Sequence, residues 1–314
     1  MRRVCLALLV VAACGTTNSD EPETLRIYST VTEATVNAVI DRFVAANPDL
    51  TVELFRAATG EVNARIAAEL REGELGADVL WLTDPLSMQQ YDADGLLRTW
   101  SPAELEAVPA EYRTETSFGT RLLNMVLIHQ SDLENPPSDW EDLLAIEGGV
   151  ALPDPAFAGS AFATLAYFAN ADGYGMDFYR QLSEAGATQV QAPADVITGV
   201  AEGVYAAGIT LDQAARAAVA DGSPITMVWP SSGAIAIYSP IAVVDGSTAS
   251  AAEAFVDHVL SFEGQEAIAA TGWEPIRADV PWTEGGENVV DVDWTAAFDR
   301  QDEFLADYAA IFGG

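Results

Sequence analysis

Gly76-Ala77-Asp78-Val79-Leu80-Trp81-Leu82-Thr83-Asp84-Pro85 is the stretch that decides the fold. Asp78 to Leu82 is a nearly continuous apolar run, the pattern of a strand buried on both faces of a sheet. Thr83-Asp84-Pro85 then opens a helix, with a capping carboxylate before a proline. A strand covered on both faces requires flanking helices, and they stand upstream. Leu25-Arg26-Ile27-Tyr28 alternates as a strand, and Thr30 with Glu33 fits a capping box. Val36, Val39, Ile40 and Phe43 fall on one helical face that stops at Asn47-Pro48. Val52 to Phe55 is a second strand. Val62, Ile66 and Leu70 mark a second helix, with Gly73 just past its end. Strand, helix, strand, helix, strand is the order of a parallel sheet with right-handed crossovers, so the fold class is α/β.

Downstream the pattern continues. Asn124 to His129 (NMVLIH), Val150 to Leu152, Ala206 to Thr210 and Ile225 to Trp229 read as strands. Phe162, Leu165 and Phe168 recur at helical spacing, and Ser250 with Glu253 reads as another capping box. Residues 281–314 are acidic with spaced aromatics and are expected to form a helical segment on the first lobe.

The chain has 314 residues, 48 acidic and 14 basic, for a net charge of −34; every basic residue is arginine. Half the residues are hydrophobic, enough for a large core, and the length suits two domains. The acidity excludes sequence-independent nucleic-acid binding and a polybasic membrane surface. Residues 1–13 carry Arg2 and Arg3 before the short apolar run Val4–Val10. Val11-Ala12-Ala13-Cys14-Gly15 then resembles the lipobox of bacterial lipoprotein signal peptides, whose cysteine is lipidated. Cys14 would thus begin the mature chain and anchor it outside the cytoplasmic membrane, with residues 14–24 as a polar tether. No other apolar run reaches transmembrane length.

Five loops share one chemistry: Ser29-Thr30, Thr59-Gly60, Thr83-Asp84, Gly159-Ser160 and Ser231-Ser232-Gly233. Ligands of open α/β sheets sit at the carboxyl ends of strands, near helix N-termini. Each loop alone also suits an ordinary N-cap. Enzyme signatures are largely absent. His129 and His258 stand apart, in a strand and a helix pattern. There is no P-loop, no nucleophile elbow, no Rossmann glycine triplet and no metal-spaced histidine pair. No cofactor is expected.

The chain resembles the periplasmic or lipoprotein solute-binding proteins of ABC importers, in the branch that includes ferric-iron binders. The likeness runs over residues 25–280, through GADVLWLTDP, PSDWEDL (Pro137–Leu143), LPDPAFAGSAF (Leu152–Phe162), GVYAAGIT (Gly203–Thr210), ITMVWPSSG (Ile225–Gly233) and LSFEGQEAI (Leu260–Ile268) with EPIR (Glu274–Arg277). The resemblance implies a two-lobed type II periplasmic-binding-protein-like fold with a cleft between lobes. Lobe 1 would comprise residues 25–124 and 240–314, and lobe 2 residues 125–239. It implies a monomer that closes on one solute and docks on a membrane permease with its ATPase.

Ferric-binding members use adjacent tyrosines after the strand matching Ala206–Thr210, where this chain reads Thr210-Leu211-Asp212-Gln213-Ala214. The pattern looks closer to relatives that bind phosphonates, phosphorylated sugars or similar polar solutes. In that reading Ser29, Thr30, Thr59, Gly60, Ser160, Thr210, Ser231, Ser232 and Gly233 line the ligand, and Asp84 or Asp212 meets a hydroxyl or ammonium group. Asp212 equally suits an N-cap. The alternatives are a ferric-ion carrier and, from another class, a surface hydrolase using cleft carboxylates.

Overall fold

A computed structural model describes residues 23–282, 288–290 and 292–313. The expected signal peptide, Cys14 and most of the tether lie outside them. The first five elements follow the sequence pattern: β1 Glu23–Ser29, α1 Glu33–Ala46, β2 Leu50–Arg56, α2 Thr59–Glu72 and β3 Val79–Trp81, then α3 Pro85–Ala93. β1 pairs in parallel with both β2 and β3. Asp84 caps α3 as its sequence predicts, its carboxylate accepting from the Ser87 amide at 2.7 Å. Gly73 ends α2 at φ 104°, a left-handed conformation that glycine adopts without a Cβ clash.

The middle of the chain supplies β4 Ser117–Gln130, β5 Val150–Pro153, α4 Gly159–Asn170, α5 Gly175–Glu184, β6 Thr188–Val190, α6 Pro193–Ala201, β7 Ala207–Leu211, α7 Asp212–Ala220, β8 Ile225–Val228 and β9 Ala234–Val243. The last part adds α8 Ala251–Leu260, α9 Phe262–Ala270, β10 Glu274–Pro275, β11 Val289–Val290, α10 Trp294–Asp299 and α11 Gln301–Phe312. The strand order is β2-β1-β3-β9-β4-β7-β5-β6, with β8 and β10 on β4 and β11 on β9. Thus β2-β1-β3 builds one lobe and β7-β5-β6 the other, and the long antiparallel pair β4 and β9 runs through both.

The join between lobes is held by polar bonds inside the core. Trp81 is fully buried, and its indole N–H donates to Thr120 Oγ1 at 2.9 Å. Thr120 in turn donates to the Ser239 carbonyl at 2.8 Å. Three strands, β3, β4 and β9, are thereby pinned where β4 shifts register between Gly119 and Leu122.

Three expectations are corrected. Neither capping box forms: α1 starts at Glu33, and the Thr30 hydroxyl is engaged by Thr83 instead. Ser250 donates to the Glu23 carboxylate rather than capping α8. The acidic tail does not pack on the first lobe alone. α10 lies against α3 and α4, and α11 packs on α4 and α5, with Tyr308 edge-on to Tyr179 at 5.1 Å. Apolar demand decides this: Phe304 and Tyr308 are buried, and Tyr179 of α5 covers Tyr308.

Candidate functional site

β1, β2 and β3 end at one edge of their lobe, and the loops that follow them form one wall. Ser29 is fully buried, donating to the Trp81 carbonyl at 2.9 Å and accepting from the Val31 amide at 3.1 Å. Thr30 Oγ1 accepts from the Thr83 amide at 2.8 Å and lies 3.0 Å from Thr83 Oγ1. Ser29 and Thr30 therefore brace the wall.

The opposite wall comes from the loop between β5 and α4. The Gly159 amide donates to Thr59 Oγ1 at 3.1 Å, across the lobes. A Cβ on Gly159 would stand 2.5 Å from Asp84 Oδ2 and 3.0 Å from both Thr59 Oγ1 and Thr83 Oγ1. A Cβ on Gly60 would stand 2.9 Å from the Ala156 carbonyl oxygen. Four of the five loops thus meet at one point, and the lobes touch. Ser160 is the next residue of α4 and is buried, its carbonyl accepting from Thr164. The lobes touch again on the far side of β4: Gln213 Nε2 donates to the Thr271 carbonyl at 3.1 Å, and Arg216 donates to the Gly272 carbonyl at 2.8 Å.

Asp84 is the acid of this contact. It is fully buried, and Oδ2 has no hydrogen-bond partner among the described residues. Burial pushes its carboxyl above the ordinary 3.8, against the bonds from Ser87. Asp212 is the first residue of α7 rather than its cap. It accepts from Arg216 at 3.1 Å and from the Asn124 amide at 3.4 Å, and burial raises its pKa although Arg216 pulls it back. Asn124 Nδ2 also donates to Glu274 at 3.2 Å. Thr210 is fully buried and donates to the Pro193 carbonyl at 2.8 Å.

The fifth loop lies apart from this convergence. Ser231 Oγ donates to Asp139 at 2.7 Å, the Ser232 amide to the same carboxylate at 3.1 Å, and the Gly233 carbonyl accepts from the Trp140 indole at 3.0 Å. These three residues bind the start of the Trp140–Ala145 helical turn. The sequence reading named Thr83 and Gly159 only as members of their loops, not as ligand residues, and gave no site role to Asn124, Glu274 or Arg121. Arg121 carried one available signal, a lone charge heading the apolar run Leu122–His129 in a lysine-free chain.

Comparison with known proteins agrees with this architecture. The family model of the bacterial extracellular solute-binding proteins matches residues 25–274. No curated protein matches the chain. Among solved structures, AfuA from Actinobacillus pleuropneumoniae with exogenous fructose-6-phosphate is 20% identical, with a TM-score of 0.82 over 92% of this chain and 98% of that one. Iron-bound HitA from Pseudomonas aeruginosa is 19% identical, with a TM-score of 0.81 over 92% and 99%. The apo ferric ion-binding protein A from Pasteurella haemolytica is 16% identical, with a TM-score of 0.80 over 92% and 98%. At these identities the likeness establishes the type II periplasmic binding fold. Among the described residues no helix is long and apolar enough to cross a membrane. With a two-lobed fold and a family match over most of its length, the chain belongs to the bacterial extracellular solute-binding proteins, the solute-capturing components of ABC importers.

Proposed function

We propose that this chain is a lipid-anchored monomer, held outside the membrane through Cys14, that captures a small polar solute by lobe closure and delivers it to an ABC permease and its ATPase. The solute is phosphorylated, a phosphonate or zwitterionic. The boundary between lobes falls within β4 and β9, near residues 124 and 240. One observation carries the reading: four strand-end loops from two lobes converge on the Gly159–Thr59 bond, offering hydroxyls, amides and the buried Asp84 carboxylate. Such a contact made between two lobes on a shared strand pair is what hinge closure around a solute requires.

A ferric ion is the second reading, since iron-bound HitA shares the fold. It has less behind it, because Tyr28, at the end of β1, turns its hydroxyl to Glu69 and the segment after β7 holds no tyrosine. Thermal melts against phosphonates, sugar phosphates, thiamine, polyamines and ferric salts separate the two. A solute at 100 times its Kd adds about 2.7 kcal/mol of stability. A phosphorylated or zwitterionic compound is expected to raise Tm, with one-to-one binding and no turnover. A rise with ferric salts alone would overturn the proposal. Cys14→Ser should move the protein from the membrane to the soluble fraction; retention at the membrane would remove the lipid anchor.

A further inference from the structure

Arg121 sits on β4 where that strand leaves one lobe for the other, at the register shift between Gly119 and Leu122. It is fully buried, and none of Nε, Nη1 and Nη2 has a hydrogen-bond partner among the described residues. Its guanidinium stacks 4.3 Å from the centre of the Trp273 ring, which is itself buried. Stacking covers a face of the guanidinium and leaves its N–H edge to find acceptors in the plane.

Every other arginine among the described residues has found such a partner. Arg277, two residues beyond the Pro275 that pairs with Arg121, is the nearest control: it reaches Asp279, Glu104 and the Leu260 carbonyl. The exposed arginines pair as well, Arg26 with Glu53 and Arg300 with Glu303. Among the described residues, the arginine buried most completely is thus the one left without an acceptor. Burial alone draws that guanidinium down to about 9, with no carboxylate to oppose the cost. An unpaired buried charge is expensive, so its partner is expected to arrive from outside the chain. The first turn of α1 is tied through Thr35 to Thr271 at 2.8 Å, two residues ahead of Trp273, and no N-cap side chain caps its amides.

We infer that Arg121 receives an oxyanion group of the captured solute, a phosphoryl, phosphonate or carboxylate head, over the floor of Trp273. The inference rests on the solute-binding reading above and names the charge that its solute carries. Guanidinium forks suit such groups because two parallel N–H bonds match two oxygens. The net charge of −34 opposes an anion at long range, so selectivity comes from this one cation held out of water.

The test uses the full soluble domain with sodium phosphate, methylphosphonate and acetate as probes, and chloride at equal ionic strength as control. Phosphate or methylphosphonate is expected to raise Tm, and acetate to do so if a carboxylate suffices. In Arg121→Met the oxyanion shift should vanish and the Kd from calorimetry should weaken at least a hundredfold, while the unliganded Tm holds or rises. Arg121→Lys should keep part of the response, and it carries the comparison if the Met variant does not fold. The inference falls if no oxyanion shifts the wild type, or if Arg121→Met keeps the shift. It also falls if a cationic or uncharged solute stabilises wild type and Arg121→Met equally, and solute capture by the cleft then survives it. Silence toward every solute of the wider panel would sink both.

Discussion

Gly159→Ala is the sharpest perturbation the interlobe contact offers. The added Cβ would stand 2.5 Å from Asp84 Oδ2, with Thr59 Oγ1 and Thr83 Oγ1 at 3.0 Å. Asp84 has little room to yield, since it is fully buried and tied to the Ser87 amide at 2.7 Å. The lobes must separate instead, which also breaks the Gly159–Thr59 bond of 3.1 Å. Overpacking of this kind costs ~1–3 kcal/mol, and the lost bond adds ~1 kcal/mol. The sum, about 2–4 kcal/mol, falls on the closed form alone, because open lobes hold these atoms apart. At about 1.4 kcal/mol per decade the solute Kd should rise roughly 30-fold to several hundredfold. Calorimetry gives the Kd, and small-angle scattering gives the radius of gyration with and without solute. Thr59→Ala, which removes the bond without a clash, should cost only several-fold. Gly60→Ala, whose Cβ would meet the Ala156 carbonyl at 2.9 Å, should mimic Gly159→Ala. Wild-type affinity and full compaction in Gly159→Ala would refute the idea that this contact forms on closure.

Three further outcomes are expected. The raised pKa of Asp84 means that its neutral form suits the folded protein, so its contribution to stability is present at acid pH and is lost as pH climbs from 3.8 through the raised value; Asp84→Asn, which keeps the cap, should flatten that part of the pH dependence of Tm. Asp212→Ala strips Arg216 of a buried partner and should cost ~1–3 kcal/mol in urea denaturation, discounted because Arg216 keeps the Gly272 carbonyl and is partly exposed; an accompanying loss of affinity would place Asp212 against the solute, and unchanged affinity would make it structural. Phe304→Ala should lower stability by ~3–5 kcal/mol, since the ring is fully buried on α11, which packs on α4 and α5; an unchanged midpoint would mean the tail is dispensable.

The opening βαβαβ unit was legible because its elements are local: a period-2 strand, a period-3.6 helix and Gly73 each declare themselves within a dozen residues. β3 was readable as a buried strand, yet its neighbour β9 was not, since Leu80 pairs antiparallel with Ala242 across 162 positions. β4 begins at Ser117, seven residues ahead of the expected strand Asn124–His129, because Thr120 and Arg121 hide its first half from any hydrophobic pattern. The convergence of Thr30, Thr59, Thr83 and Asp84 on Gly159 is a tertiary fact. Their residue types suggested strand-end chemistry, and the same types at Ser231-Ser232 went to satisfy Asp139 instead. Hydroxyls at helix starts have both uses, and only packing separates them.

The polarity of β1 bears on where a lipid at Cys14, if attached, would hold the domain. Glu23, at the near end, is fastened to Ser250 Oγ at 2.9 Å and to the Ala251 amide at 3.2 Å, while Ser29, at the far end, belongs to the cleft wall. Six rises of ~3.3 Å from Glu23 to Ser29 put about 20 Å between the two. A lipid at Cys14 would therefore pull from the base of the lobe and leave its mouth untouched. The eight residues between Cys14 and Glu23 span at most ~28 Å when extended, so an anchor there would limit how far the domain could stand from the membrane.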